Sequence, residues 1–76
     1  MSEAQGSRFT YLLDRMHSFL MHPSDAVLTT NELGGGILRI RLGLSDTIFF
    51  SPDINELLKL FEVFLEARDV SSKTLN

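Results

Sequence analysis

Three consecutive glycines, Gly34 to Gly36, precede two arginines, Arg39 and Arg41, set among Ile37, Leu38, Ile40 and Leu42. A glycine loop holds phosphate when it opens a helix, because the free N–H groups of the first turn then point at the anion. Here the glycines lead into a stretch of period two, and neither the GxGxxG nor the GxxxxGK[ST] spacing occurs. They are expected to form a flexible hairpin loop in which glycine supplies positive φ without steric penalty. Arg39 and Arg41 lie two positions apart on a strand, so both project from one face, about 7 Å apart along the backbone. Such a pair can hold an anion, or it can lie along apolar surface with its guanidinium groups in water. With Ile37 on the same face, the patch has the arginine-plus-apolar composition favoured at protein interfaces.

The remaining candidates for chemistry are sparse. His17 and His22 are the only histidines, and their five-residue spacing sends them to different faces of a helix, whereas a zinc pair needs i, i+4. Asp14 and His17, three apart on the polar side of the first helix, form an ordinary surface pair and would be a catalytic dyad only with a nucleophile nearby. Glu62, Glu66 and Asp69, with Asn55 and Lys59, fall on one helix face and read as a solvated acidic surface. Carboxyl acid catalysis needs an apolar pocket of ~300 Å³ or more, for which a chain of 76 residues leaves little room. There is no cysteine and no GxSxG stretch. No catalytic residue, cofactor or metal is assigned, and the expectation is a protein that is not an enzyme.

Composition bounds the rest. Hydrophobic residues make up 43% and charged residues 22%, too apolar for intrinsic disorder, so the chain should fold as one domain. A chain this short buries only about 60% of its unfolded surface, so the core must be efficient or shared with a partner. The net charge of −3 disfavours non-specific attraction to a phosphate backbone. The start MSEAQGS has no signal-peptide pattern, and the most apolar stretch, LLKLFEVFLEA, is interrupted by Lys59, Glu62 and Glu66. A complete, soluble cytoplasmic gene product with no membrane partner is expected.

The elements that must position these residues follow from periodicity. Phe9, Leu12, Leu13, Met16, Phe19 and Leu20 form one helical stripe, predicting a first helix over Arg8 to Met21 with Ser7 as N-cap and Pro23 as stop. Ala26 to Asn31 suits a strand, residues 37–42 alternate as a half-buried strand, and Thr47 to Phe50 forms a third after the turn candidate LSDT. The stretch Ser51-Pro52-Asp53 predicts a second helix with Ser51 as N-cap and Pro52 at its first position. Ile54, Leu57, Leu58, Phe61, Phe64 and Leu65 give its stripe, while Leu60, Val63 and Ala67 extend that stripe sideways.

The fold class is therefore α+β: an N-terminal helix, a three-stranded antiparallel meander, and a C-terminal helix packed on one sheet face. Residues 1–6 and 71–76 are expected to be disordered around a domain of residues 7–70. Of the neighbouring aromatics on the third strand, Phe50 shares a face with Ile48 and is assigned to the core, leaving Phe49 exposed. The expected role is that of a protein-binding module, an accessory factor, adaptor or inhibitor, which docks on a protein partner through Ile37, Arg39, Arg41 and Phe49. Leu60, Val63, Phe64 and Ala67 are the candidate homodimer interface. The alternative is a nucleic-acid-binding dimer that doubles the Arg39 and Arg41 pair on one face.

Overall fold

The first helix begins a turn earlier than its apolar stripe requires. In the computed structural model, which describes residues 2–19 and 22–74, α1 spans Glu3–Phe19. Its start is a capping box: the Ser2 N–H donates to Gln5 Oε1 at 2.9 Å, and the Gln5 N–H donates to Ser2 Oγ at 3.2 Å. Ser7, the expected N-cap, lies inside the helix, and residues 3–6, expected to be disordered, are helical. Leu20 and Met21, at the expected end of this helix, lie outside the described residues.

Three seven-residue strands follow, β1 Ser24–Thr30, β2 Gly36–Leu42 and β3 Ser45–Ser51, paired antiparallel in the order β1-β2-β3. The β2–β3 turn is shorter than the expected LSDT. Leu42 pairs with Ser45, leaving only Gly43 and Leu44 as the loop, and Gly43 adopts φ 59°. A two-residue hairpin loop with glycine at its first central position is the type II′ arrangement, whose twist matches that of the flanking strands.

The last element, α2, spans Ile54–Thr74 and so extends into the tail expected to be disordered. Asp53, and not Ser51, is its N-cap. The Asp53 carbonyl accepts from Leu57 N–H at 3.2 Å, and Asp53 Oδ1 accepts from Asn55 N–H at 3.0 Å. Ser51 is instead the buried end of β3: its Oγ accepts from Asp53 N–H and donates to Glu56 Oε2, each at 3.0 Å. The two hydrogen bonds offset the cost of burying this hydroxyl.

Both helices lie on one side of the sheet and run in the same direction. Gln5 Nε2 donates to Asn55 Oδ1 at 3.0 Å, Arg8 pairs with Glu62, and the Phe9 and Phe61 rings meet at 5.9 Å. The acidic face expected on α2 is therefore partly a seam with α1, since Asn55 and Glu62 are taken up by Gln5 and Arg8. The side chain of Asp69 lies outside the described residues. Between helices and sheet lies one core of Leu12, Met16, Ala26, Leu38, Ile40, Ile54, Leu57, Leu58, Phe61 and Leu65. The opposite side of the sheet carries neither helix. No helix among the described residues is long and apolar enough to cross a membrane.

Candidate interaction surface

Strand register decides what the uncovered side displays. Leu38 and Ile40 of β2 point into the core, so Ile37, Arg39 and Arg41 point away from it. Directly paired residues share a face, which places Thr29, Val27 and Asp25 of β1 and Phe50, Ile48 and Asp46 of β3 beside them. Three rows result: Thr29, Ile37 and Phe50; Val27, Arg39 and Ile48; Asp25, Arg41 and Asp46. Phe50 is 78% exposed, Ile48 62%, Val27 50% and Ile37 45%. Isolated exposed apolar residues are common on proteins, but four on one flat face form a contiguous patch of the kind that marks an interaction site.

This arrangement reverses the expected faces of β3. Phe49 turns inward, where its ring meets Phe64 edge-on at 6.1 Å and 76°, and Phe50 turns outward with Ile48. The physical reason is parity. With a side-chain period of two, a two-residue turn at Gly43 and Leu44 sets Arg41 opposite Asp46, and every second residue of β3 from Asp46 onward faces the arginine side. Ile48 and Phe50 are thus surface residues, and Val27 of β1 joins them through its own pairing with Arg39. The legible signal was Gly43, whose position at the start of a two-residue loop sets that parity.

The two arginines have different surroundings. Arg39 Nε donates to both carboxylate oxygens of Asp46 at 3.0 Å, and its Nη2 also binds Oδ2. This hydrogen bonding holds the Asp46 carboxyl below its ordinary range, with the charges of Arg39 and Arg41 adding to the effect, and raises the Arg39 guanidinium correspondingly. Arg41 lies between Asp25 and Asp46 in the ladder. The face therefore carries two positive and two negative charges and no net charge.

The flank of α2 is only partly filled within the chain. Leu60 packs against the core, and Phe64 lies between the Phe49 ring and the Arg68 guanidinium, which stands 5.2 Å from its centroid. Val63 and Ala67 are exposed beside them.

The glycines have a structural task that differs from one to the next. Gly34 adopts φ 86°, and the loop is tied by Asn31, whose Oδ1 accepts from the Leu33 and Gly35 N–H groups at 2.9 and 3.0 Å. At Gly35 and Gly36 no side chain fits. A Cβ on Gly35 would stand 2.6 Å from Pro52 Cα and 2.8 Å from the Ser51 carbonyl oxygen, and one on Gly36 would overlap the Thr29 carbonyl oxygen. The loop does reach a helix N-terminus, but the Gly34 carbonyl accepts from Ile54 N–H at 3.0 Å, occupying a donor that an anion would need.

Among the described residues, no three His, Cys, Asp or Glu side chains converge as metal ligands. His17 and His22 are both exposed, one on α1 and the other beyond its end. An open cleft of about 410 Å³ lies between His22, the β2–β3 turn and Arg68. No protein-family profile, curated protein or solved structure matches the chain.

Proposed function

We propose that this chain is a non-enzymatic protein-binding module that docks on a protein partner through the uncovered face of its sheet. The observation that carries this reading is the contiguous exposure of Val27, Ile37, Ile48 and Phe50 on a face without a helix. Docking there would occlude or bridge a partner's surface, as an inhibitor or adaptor does. Phe50 is the natural anchor, since an aromatic side chain offers a large area at little entropic cost. Arg39 and Arg41 add orientation through their mixed-sign surroundings. Of the residues first assigned to the patch, Ile37, Arg39 and Arg41 keep that role, and Phe50 takes the place of Phe49.

A phosphate-binding role is less well supported. Arg39 is already held by Asp46, and Arg41 has a carboxylate on either side, so phosphates would meet a neutral face on an acidic chain. The deciding experiment is capture from nuclease-treated native lysate with immobilised wild type and with the double variant Ile48→Lys, Phe50→Lys. A protein retained by wild type and lost with the variant is the expected result. Retention by both, or retention only when nucleic acid is left intact, would overturn the reading.

A further inference from the structure

We infer that the partner of the open face is the open face of a second copy, stacked about a two-fold axis that runs parallel to the strands between β2 and β3. This rests on the docking role proposed above and names its occupant. Two sheets that pack face to face keep their strands within about 30° and lie about 10 Å apart. An axis between β2 and β3 then places each outward residue of one strand over the ladder partner of that residue in the other copy.

The observed register makes those encounters complementary. Ile37 pairs with Phe50 within the ladder, so Ile37 meets Phe50 of the second copy, and Phe50 meets its Ile37. Arg41 pairs with Asp46, so Arg41 meets Asp46 of the second copy, and the converse contact forms by symmetry. Arg39 takes three of the roughly four lone-pair directions of the Asp46 carboxylate, two of them on Oδ2, and leaves one on Oδ1 for an incoming Arg41. Arg39 lays its stem over Ile48 of the second copy. An axis along β2 itself would instead set Arg41 on Arg41 and Asp25 on Asp46.

Charge favours the approach, and area limits its strength. The chain carries −3, yet this face sums to zero, so two acidic molecules can approach here without a net repulsive patch. The axis lays β2 and β3 of each copy over β3 and β2 of the other and leaves β1 outside, so two seven-residue strands overlap over roughly 200 Å² in plan, well below the roughly 800 Å² per partner of a standard stable interface. The pairing is accordingly a reversible one that responds to concentration.

Sedimentation equilibrium of the full chain, from about ten micromolar to about one millimolar, tests this directly. Wild type should move from the mass of one chain toward that of two. Phe50→Lys, at an exposed site, should stay at one while its circular dichroism is unchanged. Arg41→Asp and Asp46→Arg separate this geometry from general stickiness. Each alone opposes like charges across the axis and should weaken association by about tenfold or more, whereas an equimolar mixture restores both opposite-charge contacts and should recover it. A wild type that stays at one chain throughout, or a mixture no better than its components, overturns the pairing. The docking role is decided separately, by capture from lysate: it fails if capture survives the Ile48→Lys, Phe50→Lys change or requires intact nucleic acid.

Discussion

Replacing Gly35 by alanine tests whether the triple glycine is a flexible loop or a close backbone contact. The added Cβ would sit 2.6 to 2.8 Å from three backbone atoms of Ser51 and Pro52, where ordinary contact begins near 3.4 Å. Neither side can yield alone. Gly35 is held by Asn31 through both its N–H and its carbonyl, while Ser51 and Pro52 join β3 to α2. Relief requires the loop to move away from the helix, which stretches the Gly34 to Ile54 hydrogen bond. Overpacking of this kind costs about 1–3 kcal/mol and a lost hydrogen bond about 1, so a loss of about 2–4 kcal/mol is expected. That is a large share of the roughly 4–11 kcal/mol available to a chain of this length. Urea unfolding followed by circular dichroism reads it as a midpoint lowered by roughly 1–3 M. Gly34→Ala is the control: it has positive φ but open space around it, and should cost only about 1–2 kcal/mol. A Gly35→Ala midpoint equal to that of wild type, or above that of Gly34→Ala, would refute the contact.

Three further outcomes are expected. Ser51→Ala removes the acceptor for Asp53 N–H and the donor to Glu56 at a buried position, and should lower stability by about 1–2 kcal/mol in the same urea assay. Asp46 has a folded-state pKa below its ordinary value, so its contribution is present above the ordinary carboxylate pKa and fades as pH falls through the lowered one. The stability gap between wild type and Asp46→Asn should thus be present at neutral pH and close on acidification; a gap that widens in acid would contradict the Arg39 pairing. Val63→Glu, at an exposed site on α2, should leave sedimentation mass unchanged at every concentration, whereas a shift to lower mass would return the dimer interface to the helix.

Sequence periodicity alone determined the order helix, three strands, helix, and the meander. A 3.6-residue stripe and a two-residue alternation are local properties, visible without knowing what packs where. Leu12, Met16, Leu57 and Phe61 were legible as core for that reason, and Arg39 and Arg41 as neighbours on one outer face. The capping box of Ser2 and Gln5 was equally legible as a four-residue pattern but lay ahead of the apolar stripe. What the tertiary structure decided depends on partners distant in the chain. Phe49 and Phe50 are equivalent until the Gly43 turn sets the parity of β3 against β2. The flank of α2 is unpartnered in sequence until Phe49 and the core take up Phe64 and Leu60. Gly35 requires the absence of a side chain because Pro52 arrives against it, a contact between segments that composition cannot place together.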